Sequence, residues 1–240
     1  MEVPDFLKTA DLIYDTERKI IVGDVRFSDK NLRGSSKYFP FLKSGAIDLN
    51  FKYSSFDNIS QQVKVRGKLK RLSTKYVSLG YVDIHLDVLD LWNAKLNDSL
   101  LKIRSLNYED IVLKETKLGI RSVSDAYNVD CSLVSGQPYP VNLAFNSRIK
   151  NDIKNNQLIA KITDLSGELR EVKIKQNSDI NIEIRSDYIL NVQNLGIGDG
   201  SMNLDAKFGE SKIYAKILID KAPIMALPDI LPDIFENRVE

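Results

Sequence analysis

Two side chains that often do chemistry, His85 and Cys131, occur once each in this 240-residue chain. A Cys–His nucleophile pair would need them in contact, but each sits in an alternating apolar run, where a packing or surface role is the plainer reading. One cysteine makes no disulfide within the chain, and no set of Cys, His and carboxylates has zinc spacing. Asp83 and Asp87 project from the polar face of one strand. Acid/base work by this pair would require a second cleft element that the sequence does not supply. Gly196-Ile197-Gly198-Asp199-Gly200 lacks phosphate-loop spacing and follows no βαβ pattern, so it reads as a hairpin turn. Lys68-Leu69-Lys70-Arg71 reads as a solvated strand face. Trp92, the sole tryptophan, reads as a core or sheet-edge anchor, with a groove cap as the alternative. No Ser-His-Asp arrangement is evident. The sequence assigns no catalytic residue, no metal ligand and no cofactor.

Composition narrows the field further. There are 34 Lys and Arg against 33 Asp and Glu, a formal charge of +1. A nucleic-acid partner needs a basic surplus, so none is expected. Hydrophobic residues make up 43% and charged residues 28%, the balance of an ordered chain able to build a core. No apolar stretch approaches the ~20 residues of a membrane-spanning helix, and no charged-then-apolar leader follows Met1. The expectation is a chain without signal peptide or anchor of its own.

What must position these residues is a long series of strands. Ile47, Leu49, Phe51 and Tyr53 alternate with polar neighbours, as do Val82, Ile84, Leu86 and Val88. The pattern returns at Tyr127–Leu133, Val141–Phe145, Leu158–Ile162, Ile180–Ile184, Met202–Phe208 and Ile213–Ile219. Successive strand residues face opposite ways, so each run makes one apolar and one polar face. Turn formers separate the runs: Asn155-Asn156, Ser166-Gly167, Gly198-Asp199-Gly200 and Gly209-Glu210-Ser211. From 125 to 220 the strands recur about every ten residues, as in hairpins and meanders. Ile20–Val22 and Val25–Phe27 predict a strand or two near the start. Leu86 to Leu101 is open to a short helix or bulge. Pro223, Pro228 and Pro232 forbid a continuous helix or central strand near the end, leaving one or two helical turns.

Many strands with one apolar face must hide that face. A two-sheet sandwich, a closed barrel and a helix-covered sheet are the usual solutions. No amphipathic helix of sufficient length is evident. A sheet curled into a trough, its apolar face holding a greasy ligand, is a fourth. A transmembrane barrel is a fifth, though no aromatic girdles mark the strand ends.

The order of features from Lys68 to Glu210 resembles a known family. A strand pair ends in Val77–Val88. Leu101–Leu118 reads LKIRSLNYEDIVLKETKL, and Tyr139-Pro140-Val141-Asn142-Leu143 and Ile162–Leu169 follow. Leu190–Gly209, LNVQNLGIGDGSMNLDAKFG, leads into the proline-punctuated Ala222–Pro228. This succession, about two thirds of the chain, is similar to the repetitive β region of the TamB family. That family comprises the inner-membrane-anchored subunits of the translocation and assembly module, relatives of AsmA-like proteins.

The resemblance implies a long β-trough with a hydrophobic interior in the periplasm of a diderm bacterium, tethered to the inner membrane in the full-length family. It implies a part in outer-membrane biogenesis: phospholipid transport between membranes, or assembly and secretion of outer-membrane proteins with the TamA-like barrel protein. Family members are several times longer, so the chain is expected to be an internal fragment.

The expected fold is therefore all-β, an open, curled amphipathic sheet of about ten or more strands with a short proline-punctuated helical segment near the C-terminus. Residues 1–45 would form a partial β segment, 46–220 the trough, and 221–240 a segment leading toward a further repeat. Phospholipid acyl chains are the expected partner. The expected lining is Val82, Ile84, Leu86, Val129, Leu133, Leu143, Phe145, Ile182, Ile184, Leu204, Phe208, Ile217 and Ile219. A structural or adhesive β-sandwich or solenoid without lipid is the alternative.

Overall fold

The computed structural model describes residues 7–17, 19–33, 43–56, 60–93, 95–108, 111–136, 140–152, 157–209 and 213–222. The protein is all-β, with sixteen strands in antiparallel pairings and no α-helix among the described residues. In chain order they are β1 (Leu7–Asp15), β2 (Ile20–Asp29), β3 (Ser44–Phe56), β4 (Ser60–Ser73), β5 (Val77–Asp90), β6 (Lys95–Leu96), β7 (Ser99–Tyr108) and β8 (Ile111–Val123). They continue as β9 (Ala126–Ser135), β10 (Val141–Asp152), β11 (Gln157–Leu169), β12 (Val172–Gln176), β13 (Ile180–Ile184), β14 (Tyr188–Ile197), β15 (Gly200–Phe208) and β16 (Ile213–Asp220). The stretch left open between Leu86 and Leu101 continues β5 to Asp90, turns, and returns through β6 into β7. The helical turns expected at the proline-rich end lie outside the described residues.

The chain divides into two compact units, one of Met1–Ser124 with Asp130–Pro138, the other of Asp125–Val129 with Tyr139–Glu240. In the first unit the hydrogen-bonded order is β1-β2-β3-β4-β5-β7-β8, with β6 on β5. Directly paired residues of an antiparallel ladder share a face. Leu49, Gly67, Ile84, Leu101 and Leu118 form one cross-strand row, and Leu69, Val82 and Ile103 another. The polar row Asp48–Lys68–Asp83–Lys102–Lys117 runs between them, and the polar row Arg26–Asn50–Arg66–His85 lies on the far side of the Leu49 row. The period-two sequence thus becomes an apolar face and a charged face. The pattern slips where Arg71 and Ser105 take positive φ (50° and 57°) beside Gly80. Pairing resumes as a row of four leucines, Leu72, Leu79, Leu106 and Leu113.

The second unit orders β10-β11-β12-β14-β15-β16, with β13 between β11 and β14 further along. One row runs Leu143, Gly167, Ile174, Ile197, Gly200. Another runs Ala160, Ile182, Leu190, Ala206, Ala215. The ladders are interrupted here as well. Registers shift at Asn146/Ser147 and between Val192 and Leu195, and β12 and β13 are separate pieces. Gln176 ties the β11 irregularity: its amide nitrogen donates to the Ile162 carbonyl (2.7 Å), and its oxygen accepts from the Leu165 N–H (3.0 Å). Bulges of this kind bend a strand and sharpen its twist.

A buried cluster forms on this unit's apolar face: Ile174, Ile180, Val192, Leu195, Ile197, Met202 and Ala222. Ile197 is fully buried. After β16 the backbone of Lys221 and Ala222 runs so close to Gly200 that any Cβ there would collide with it.

Candidate functional site

The candidate site is the apolar face itself. In the first unit, β5 places Val82, Ile84 and Leu86 on that face, beside Leu69, Gly67 and Val65 of β4. Val82 is buried, whereas Ile84 and Leu86 are half-buried, as are Leu49, Phe51, Leu101 and Ile103 of neighbouring strands. In the second unit, register places Leu143, Phe145, Ile182, Ile184, Leu204, Phe208, Ile217 and Ile219 on one face. Their surroundings differ. Leu143, Ile182, Leu204 and Ile217 pack against the buried cluster, while Phe208 and Ile219 are exposed. Val129 is buried in the second unit's portion of β9, and Leu133 lies half-buried in the first unit's portion.

Several members of the face were absent from the expected lining. Leu101, Ile103 and Leu118 alternate as plainly as the β5 residues, and their spacing carried a usable signal. Ile174, Leu195 and Ile197 did not, because the short β12 and the bulge before Leu195 interrupt the alternation around them.

Two glycines stand within the apolar rows. Gly67 (φ 156°) and Gly167 (φ 149°) occupy the middle of β4 and β11. A Cβ on the first would strike the carbonyl oxygen of Asp48, and on the second the carbonyl oxygen of Asn142. The neighbouring backbone therefore approaches where only hydrogen fits.

The opposite face is a mesh of ion pairs, most of them across strands. Lys52 contacts Asp24 at 3.0 Å, Arg26 contacts Asp48 at 3.3 Å, and Lys102 and Lys117 converge on Glu115 at 3.0 and 3.3 Å. The Lys52 hydrogen bond, joined by one from Asn50, holds the Asp24 carboxyl below its ordinary value. Lys102 and then Lys117 do the same for Glu115. Around Gly67 this face has a hollow of about 400 Å³, lined by Arg26, Arg66, Lys68, Asp83 and His85 among others.

His85, Cys131, Asp83 and Asp87 do not assemble into one site. Asp83 and Asp87 share the polar face but stand four residues apart, roughly 13 Å at ~3.3 Å per residue. Asp83 accepts a hydrogen bond from the Tyr81 hydroxyl (3.1 Å), and the buried Asp87 contacts Lys64 (3.5 Å). Cys131 follows Asp130, whose Cβ stands beside Gly119 on the charged face, so Cys131 points to the other side. His85 is on the charged face, so the two cannot form a nucleophile pair. Burial raises the Cys131 thiol above its usual pKa, which disfavours the thiolate.

Gly198, with φ 59°, makes the hairpin turn read from the Gly196–Gly200 segment. Trp92 is neither core nor groove cap: it is 69% exposed, on a turn where Asp90 accepts hydrogen bonds from the Trp92 and Asn93 N–H groups. Among the described residues, no three His, Cys, Asp or Glu side chains are grouped to hold a metal, and no helix is long and apolar enough to cross a membrane.

The chain matches no protein-family model, no curated protein and no solved structure.

Proposed function

We propose that the chain is a non-enzymatic, TamB-like periplasmic β-trough that takes part in outer-membrane biogenesis by holding phospholipid acyl chains along its apolar face. The observation that carries this reading is the first unit's apolar face. Rows such as Leu49–Ile84–Leu101–Leu118 remain half-buried across five strands, whereas large apolar surface in water marks a ligand or partner site. Acyl chains gain about 0.8 kcal/mol per buried CH₂ without directional bonds, so a lipid is held and still slides. The charged face carries the solvent boundary. In this reading the chain works in the periplasm within a longer, inner-membrane-tethered protein. That protein delivers phospholipid, or supports outer-membrane protein assembly, with a TamA-like barrel partner.

A structural β domain without lipid is the second reading. It is favoured by the second unit, where Ile197 is fully buried and the apolar face packs on itself.

Native mass spectrometry of the chain purified from a diderm host, with lipid extraction, tests the proposal. Co-purified phospholipid in the wild type and its loss in Ile84→Asp/Leu101→Asp are expected. A lipid-free wild-type protein that folds cooperatively would overturn the lipid reading.

A further inference from the structure

Four cations meet at one hollow of the first unit. It has a volume of about 370 Å³ and is lined by Lys30 and Arg33 after β2 and by Lys70 and Arg71 of β4, with Asn31 and Ser44 beside them. No Asp or Glu is among its described lining residues. None of the four cationic side chains has an ion pair or hydrogen bond among the described residues. The hollow around Gly67 differs, since its Arg26 is paired with Asp48 and Asp83 stands on its wall.

A bulge gathers these side chains. Consecutive residues of a regular strand face opposite sides, so Lys70 and Arg71 would part. Here the register of β3 on β4 shifts: Ala46 pairs with Lys70 but Ser44 with Ser73, which leaves Arg71 and Leu72 together opposite Gly45. Arg71 takes φ 50°, and both cations line one hollow, the re-aiming that bulges produce. On the other wall, Leu32 is buried and pins the turn after β2. Asp29 Oδ1 accepts from the Asn31 N–H (2.8 Å), and Asn31 Oδ1 accepts from the Arg33 N–H (3.3 Å). Nearby carboxylates are engaged or face away. Asp29 is paired with Ile47 on the apolar face, Asp48 contacts Arg26, and Asp83 accepts from the Tyr81 hydroxyl. Residues 30–44, KNLRGSSKYFPFLKS, contain four Lys or Arg and no Asp or Glu, so that stretch brings no acid of its own.

We propose that this hollow binds a phosphate group, carried by a soluble phosphomonoester or by a lipid headgroup. Arg33 and Arg71 offer guanidinium forks suited to paired oxygens, and Lys30 and Lys70 add point charges. A phosphomonoester brings nearly two negative charges and three acceptor oxygens, and so uses more of these donors than the two oxygens of a carboxylate can. Lys70 lies on the charged face, paired with Ala46 and Tyr81, so the site does not depend on acyl chains filling the apolar one.

Titration calorimetry of the full 240-residue chain at low ionic strength tests it, with inorganic phosphate, glycerol 3-phosphate and, for comparison, acetate. Cosedimentation with phosphatidylcholine vesicles, with and without phosphatidic acid, is the second arm. Saturable phosphate binding is expected, weakened about tenfold by Arg33→Gln/Arg71→Gly, in which glycine keeps the positive φ. Arg66→Gln/Lys68→Gln removes equal charge from the same face outside the hollow and is expected to change affinity by less than about twofold. Lys30→Gln/Lys70→Gln replaces the first pair if circular dichroism shows that it fails to fold. Binding of the soluble esters assigns a free phosphate ligand. Capture by phosphatidic acid vesicles without soluble binding assigns a lipid headgroup. No binding of any phosphate probe above the phosphatidylcholine background overturns the proposal, as do acetate binding of equal strength and equal weakening by the pairs inside and outside the hollow.

Discussion

The two units start from the same alternation and treat their apolar faces differently. The first unit has the longer strands, with β4 and β5 of 14 residues each. Its face stays half-buried, with Val63, Val82 and Val88 as its buried large residues. Ladders shift register in both units, at Leu7/Thr9, Ser44/Ala46 and Val88/Asp90 in the first and at Asn146/Ser147 and before Leu195 in the second, where β12 and β13 are also separate short strands. There the same kind of face gathers into a cluster around Ile197. Alternation therefore decides which side chains share a face, and the short strands β12 and β13, which carry Ile174 and Ile180, mark where the second unit's face gathers. In the proposed function the first unit is the better lipid groove and the second the better anchor of stability.

The largest expected effect breaks this contrast at its centre. Ile197→Asp buries an unpaired charge where no water reaches and should cost upward of about 4 kcal/mol, unfolding the second unit. Ile84→Asp, on a half-buried position, should cost less than about 2 kcal/mol while removing bound lipid. Urea denaturation of the two variants checks the ranking; equal losses would erase the distinction between the units.

Gly67→Ala and Gly167→Ala come next. Each puts a Cβ onto a neighbouring carbonyl oxygen, and each should cost about 1–3 kcal/mol, read as a lowered urea midpoint. Because both units use the same device, the two losses are expected to be similar. Gln176→Ala acts in the second unit alone. It strands the Ile162 carbonyl and the Leu165 N–H and should cost about 1–2 kcal/mol in the same assay.

The smallest expected effect is on the charged face. Asp24 and Glu115 have lowered folded-state pKa values, so each contributes stability above its unfolded pKa. That contribution is lost as pH falls through the folded pKa. Lys52→Gln should shrink the acid-induced loss of stability, measured from pH 7 downward. The change should be small, since both groups face solvent and exposed ion pairs contribute little.

Much of the strand framework was legible in the residues, though not the contrast between the units. The alternating runs at Ile47–Tyr53, Val82–Val88 and Met202–Phe208 lie in strands β3, β5 and β15, and the Gly196–Gly200 segment is a turn. What escaped was set by backbone geometry without a period. β1 alternates weakly, with Leu12, Ile13 and Tyr14 in succession, so it was not readable as a strand. The close approaches at Gly67 and Gly167 depend on how a neighbouring strand is bent, which no local pattern encodes. By residue type Trp92 reads as an anchor, since large aromatics usually bury, but it stands exposed on the Asp90-bonded turn. The separation of Asp83 from Asp87 follows from strand rise once both are known to lie in one unbroken ladder of β5 with β4.

Site-specific photocrosslinking tests the central claim most directly. A photoreactive phenylalanine analogue replaces Leu49, Ile84 or Leu101 on the apolar face of the first unit, and Asp48 or Lys68 on the charged face, in cells of a diderm host. Phospholipid adducts from the three apolar positions and none from the two charged ones are the expected result. Absence of lipid adducts at all five positions, or equal yields from both faces, would contradict the account.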